Sequence, residues 1–197
     1  DVQRATNEIA LVDNENKTVL YGIDSLLKVI GFSFPWMEKV GNWKLINFLL
    51  KKLYCFISYN RKVIMPSKKK TEIKLECVPG FNIKYRLIYI IFATIITIFT
   101  LYKCAQIITI LPNASIYREV ILAIGQIGFQ LLFLTKKDKK TNLNYVGNLI
   151  TISLLGAIIL VPIILLSSIL VLPQLFILTW FGMTVCIMIA EHYRRIN

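Results

Sequence analysis

Apolar residues crowd the second half of this chain in runs that charge barely interrupts. From Thr141 to Ala190, fifty consecutive residues include no Asp, Glu, Lys or Arg. A hydrocarbon core of about 30 Å takes about 20 helical residues, so a run this long predicts two membrane-crossing helices folded back on each other. The turn between them falls between Leu166 and Pro173, although Pro162 offers a kink in the third span instead. Two further runs precede it. Leu87 to Leu101 carries no charge, and Ile107 to Leu111 prolongs the segment past Lys103, whose ammonium can snorkel outward. Pro112 to Ser115 is a turn, and Val120 to Leu134, extended back through Ile116, is a shorter apolar run. The pattern therefore predicts four spans, at about 85–111, 116–134, 146–167 and 170–190.

The first third is patterned differently. Glu8-Ile-Ala-Leu-Val-Asp13 and Thr18-Val-Leu-Tyr21 are short strand-forming runs around the polar Asn14-Glu-Asn-Lys17, which predicts a hairpin. Asp24 or Ser25 then caps a short helix that carries Leu26, Leu27 and Ile30 on one face and stops at Gly31. Phe32 to Trp36, with Pro35, reads as a connection. From Asn42 a longer helix follows, with Trp43, Ile46, Leu50, Leu53 and Ile57 at steps of three and four. That stripe either packs on the hairpin or lies in a membrane interface as a basic amphipathic helix. Three segments result: a small polar domain over residues 1–66, a basic linker over 67–82 and a membrane domain over 83–195.

A net charge of +12 raises the question of nucleic acid, and its distribution answers it. Lys68, Lys69, Lys70, Lys74, Lys84 and Arg86 precede the first span; Lys136, Lys137, Lys139 and Lys140 form a second cluster; Arg194 and Arg195 sit at the end. These positions flank apolar segments, where Lys and Arg report orientation, and no base-stacking motif accompanies them. With four spans all three clusters fall on one side, opposite Lys103 and Arg118. The positive-inside bias then predicts an integral membrane protein, in a bacterial inner membrane, with both termini in the cytoplasm. The expected partner is the lipid bilayer, and nucleic acid is not one.

Catalytic chemistry is sparse. Cys55, Cys77, Cys104 and Cys186 form no Cys-x-x-Cys pair, and His192 is the single histidine, so neither a metal site nor a bound cofactor is expected. Gln126 and Gln130, one turn apart, suit hydrogen bonding between helices. A transport path would instead need buried ionisable groups, and none falls mid-span.

The order Ile9-Ala-Leu-Val-Asp, then Val19-Leu-Tyr-Gly-Ile-Asp-Ser-Leu, a helix, a Trp-bearing connection and Tyr54-x-x-Ile57-x-x-Asn60-Arg61 resembles the C-terminal part of the DCC family. Members of that family are small thioredoxin-like proteins called thiol-disulfide oxidoreductases. The resemblance covers residues 1 to about 65. It implies an α+β remnant of a thioredoxin-like domain, a β-hairpin plus helices, ahead of the all-α four-helix transmembrane bundle. It also implies thiol-disulfide exchange with a redox partner protein. The family's Asp-x-x-Cys-x-x-Cys is not within residues 1–197, and since the chain opens on Asp1 that region is expected upstream, in a longer protein. A dithiol mechanism needs one thiolate to attack and a second to resolve, and Cys55 has no nearby partner for either role. No catalytic residue is therefore assigned. The motif residues are Asp24, Tyr54, Asn60 and Arg61, structural or substrate-side: Asp24 is expected as a helix cap and Asn60 and Arg61 as helix-end contacts, with direct substrate contact as the alternative. Two other functions compete: a non-catalytic membrane scaffold or subunit with a docking module, and, behind it, a small transporter.

Overall fold

The computed structural model describes residues 5, 8–14, 17–66, 79–110, 112, 114–132 and 138–196. Most of the linker, Cys77 and the lysines at 136 and 137 lie outside the described residues. The chain divides into two compact units, Asp1–Tyr85 and Arg86–Asn197.

In the first unit, β1 (Ala10–Asp13) and β2 (Thr18–Tyr21) pair antiparallel, with Ala10 opposite Tyr21 and Asp13 opposite Thr18. Helix α1 (Ile23–Ser33) follows, then α2 (Pro35–Gly41) and α3 (Lys44–Ile64). Three local expectations are corrected. The residue before α1 is Gly22, and no side chain caps the helix. Asp24 instead accepts a hydrogen bond from Asn47 Nδ2 (3.1 Å) and pairs with Lys51 (3.0 Å), holding α1 to α3. Gly31 does not end α1, which runs on to Ser33; a Cβ there would collide with the Glu38 side chain, so this glycine lets α2 come close. The stretch from Pro35 is a helix rather than a connection, with proline in the first turn, where its missing N–H costs no bond.

The second unit is helical: α4 (Ile83–Ile107, whose first turn belongs to the first unit), α5 (Ile116–Leu132), α6 (Lys139–Ile169) and α7 (Gln174–Ile196). Asn82 Oδ1 accepts from the N–H of Lys84 (3.0 Å) and of Tyr85 (3.4 Å), satisfying donors that α4's first turn leaves open. Helix α6 passes through Pro162 unbroken, and the turn to α7 is Leu170–Pro173. Three helices, α4, α6 and α7, are long and apolar enough to cross a membrane. The expected fourth, α5, is apolar but has 17 residues, about 25 Å of helix, short of a 30 Å core. A four-helix transmembrane bundle is therefore not what the described residues display.

Two clusters form the interior of this unit. Cys104, Ile108, Leu160, Ile163 and Ile177 join α4, α6 and α7; Ala93, Val146 and Ile150 join α4 to α6, with Ile127 of α5 against them. Several polar contacts tie these helices together. Thr151 spends its hydroxyl proton on Gly147 O (2.6 Å), so Tyr89 is the donor in their 2.8 Å bond. Trp180 Nε1 donates to Ile159 O (3.0 Å), tying α7 to α6. Gln174 closes the end of α4, donating to Ile107 O and accepting from Thr109 N–H, both at 3.1 Å. Meanwhile Ile88, Ile91, Ile95 and Phe99 on α4 face outward, as side chains solvated by lipid do.

Asp138 caps α6, accepting from Thr141 N–H at 3.2 Å. Hydrogen bonds from Thr141, first its side chain and then its backbone, hold the Asp138 carboxyl below its ordinary pKa. The sign follows: the cap's contribution is complete above the unfolded carboxylate value and is lost as pH falls through the lowered, folded one. We expect Asp138→Ala to speed amide exchange at Thr141 and Asn142 near neutral pH, and Asp138→Asn to restore protection. Equal protection in the alanine variant would show that the cap is idle.

Candidate functional site

The first unit carries an open groove of about 770 Å³ between the strand entering β1 and one face of α3. Its apolar wall is Leu50, Leu53, Ile57 and Ile64 from α3, met by Ile9, Ile23 and Leu26. Polar groups are few: the Tyr54 phenol, the Arg61 guanidinium, the Glu8 carboxylate and the Ser58 hydroxyl.

The backbone of Ile9 sets the far wall. Its N–H donates to Tyr54 Oη (3.1 Å), and its carbonyl accepts from Gly22 N–H (2.7 Å) and lies 3.2 Å from Ser25 Oγ. The same hydroxyl lies 2.7 Å from Gly22 O, and Ser25 is fully buried. Gly22 makes this corner possible with φ of +60°, a left-handed value that favours glycine. Strand, α1 and α3 are thus fixed to one another at one residue, with Tyr54 as the tie from α3.

The four motif residues separate into distinct places. Tyr54 and Arg61 line the groove, with Ile57 of the same motif between them. Asn60 points elsewhere: it is fully buried, and its Nδ2 donates to Phe56 O (2.8 Å) and to Tyr85 O (3.1 Å). Tyr59 stacks on the Tyr85 ring, with centroids 4.8 Å apart. Asn60 and Tyr59 therefore pin the end of α3 to the first turn of α4. Asp24 lies outside the groove lining, in its clamp with Asn47 and Lys51.

The hydrophobic stripe read from sequence is only partly the groove. Leu50, Leu53 and Ile57 line it, whereas Trp43 is 69% exposed and away from it. Missed as wall residues were Glu8, Leu26 and Ile64. Continuing the three-and-four step from Leu50 through Tyr54, Ile57 and Arg61 reaches Ile64, so the helical period itself carried that signal.

Chemically, the groove offers apolar surface with one cation, one carboxylate and a phenol. Among the described residues no cysteine lines it, and Cys55, Cys104 and Cys186 are free thiols. Among the described residues no group of three His, Cys, Asp or Glu side chains is placed to hold a metal ion. Such a wall can bind an apolar group and orient it by a few polar contacts. Fold and site together define the class: a membrane protein whose N-terminal unit, among the described residues a hairpin followed by helices α1 to α3, carries an apolar groove. Comparison with protein-family models, with the curated proteins and with solved structures returns no match.

Proposed function

We propose that this chain is the membrane-anchored part of a protein resembling the thiol-disulfide oxidoreductases of the DCC family, residues 1–66 being the C-terminal part of its thioredoxin-like domain. The observation that supports this reading best is the groove. Tyr54, Ile57 and Arg61, three residues of the motif that carries the resemblance, stand on one wall of it. The same phenol holds the strand that opens the hairpin. Steps of three and four put these three residues on one face of α3.

In this reading the chain's own residues supply the framework, and a Cys-x-x-Cys pair outside residues 1–197 supplies the chemistry. One thiolate attacks a sulfur of the substrate disulfide and expels the other as thiolate, leaving a mixed disulfide. The second thiol, once deprotonated, attacks the enzyme's own sulfur and releases the reduced substrate, so the substrate gains two electrons and the dithiol becomes a disulfide. The anchor is a bacterial inner membrane crossed four times, with both termini cytoplasmic. With four crossings the basic clusters of the sequence stand on one face.

The test is the full gene product, purified in nanodiscs and assayed for reduction of insulin disulfides. The expected result is turnover that survives Cys55→Ser and falls with Tyr54→Phe and Arg61→Ala. Absence of turnover rejects the oxidoreductase reading. It leaves the second, a non-catalytic scaffold whose groove docks a partner segment, which the thiol-free lining favours.

A further inference from the structure

A second surface of the N-terminal unit shares no residue with the groove. Over Phe32 to Phe48, from the end of α1 to the second turn of α3, large apolar side chains stand in solvent. Phe32 is 78% exposed, Trp36 63%, Leu45 65% and Phe48 58%, beside the equally open Trp43. On α2, Trp36, Lys39 and Val40 share a face by their spacing. On α3, Lys44, Leu45, Phe48 and Lys52 fall within about 100° of arc. The Lys52 ammonium sits 5.5 Å from the centre of the Phe48 ring.

Charge on this surface has one sign. From Phe32 to Ile64 the sole acid is Glu38, and Lys28 pairs with it at 3.4 Å. Lys39, Lys44 and Lys52 have no carboxylate partner among the described residues. Tryptophan and phenylalanine interleaved with unpaired lysine is the composition of a bilayer interface, where rings sit at headgroup level and ammonium groups meet lipid phosphates. The chain also supplies proximity. Only residues 65–82 separate α3 from α4, and the first turn of α4, a helix fit to cross a membrane, is itself part of this unit. Lipid is thus present at high effective concentration without a diffusional search.

We infer that the Phe32–Phe48 surface docks on the anionic face of the same bilayer that holds α4, α6 and α7, with Trp36, Trp43 and Phe48 inserted at headgroup depth and Lys39, Lys44 and Lys52 on lipid phosphates. The docking holds the groove at the membrane surface, whatever the groove binds or turns over.

The test uses the full gene product in vesicles of three parts phosphatidylcholine to one part phosphatidylglycerol, each variant compared with the same background. Subtracting the emission of the Trp36→Phe/Trp43→Phe variant removes Trp180 and isolates the two surface tryptophans. The expected result is blue-shifted emission, quenched by lipids brominated near the headgroup. Quenching should be lost in the Lys39→Glu/Lys44→Glu/Lys52→Glu variant, which keeps the apolar residues. Emission of a hydrated indole would overturn the inference. So would a blue shift without quenching, which places protein, a second copy or a partner, on the surface; so would quenching untouched by charge reversal. Insulin reduction is read in the same vesicles, so loss of the proposed activity and loss of docking register separately.

Discussion

Replacing Gly22 with valine is expected to unfold the corner on which the groove is built. The residue sits at φ +60° and ψ −126°, where a β-branched side chain is a steric outlier. Alanine there should cost about 1–3 kcal/mol, and valine more. Its Cβ would lie 3.1 Å from Glu8 Oε2 and 3.4 Å from Tyr54 Cε1, so the new atom meets groove residues on both sides. The backbone has little freedom to turn away. Gly22 N–H is committed to Ile9 O at 2.7 Å, and its carbonyl accepts from Ser25 Oγ and from Leu26 N–H. Rotating φ to an ordinary value breaks these bonds together. Hydrogen exchange in nanodiscs reads the result: Leu26 and β1 should lose protection while α6 and α7 keep theirs. Unchanged protection at Leu26 would mean that the corner tolerates a side chain and that the positive φ is incidental.

The second large effect belongs to Gly156, where α6 and α7 come together. A Cβ at this position runs into the Met188 thioether. Small residues in membrane helices allow such approach, and the packing gained is the main attraction between helices that lipid already solvates. Alanine and leucine should behave differently. Gly156→Ala adds one carbon against the flexible end of a methionine and gains helix propensity, so we expect near-neutral stability. Gly156→Leu overfills the interface and should cost about 1–3 kcal/mol. Denaturation by graded SDS measures both, and Met188→Ala should restore much of what Gly156→Leu loses. Additive effects of the two substitutions would show that the residues do not touch in the membrane.

The same glycine reasoning explains where the sequence misled. Gly31 stands where a helix stop is plausible, because glycine favours the left-handed cap. Here it remains helical and makes room for Glu38, and a packing role leaves the same residue in the sequence as a capping role does. Asp24 is a parallel case. An acidic residue near a helix start suits a cap, but its partners, Asn47 and Lys51, lie 23 and 27 positions away on another helix. Local pattern is blind to them.

For α5 the sequence supplied an apolar run through Leu134, and the structure describes the helix over Ile116–Leu132. Among the described residues only α4, α6 and α7 have both the length and the apolar character to cross a bilayer.

Sequence by itself determined the two-part character of this protein. An unbroken uncharged run of fifty residues has no water-soluble solution, and a polar tetrapeptide between two β-forming runs closes a hairpin, because both follow from side-chain chemistry over a few neighbouring positions. Tertiary structure alone decided that Tyr54 ties α3 to Ile9, forty-five residues away, and that Asn60 turns from the groove to hold Tyr85. Contacts of that range depend on how faces meet in space. A helical period names the face a residue is on, never what lies opposite.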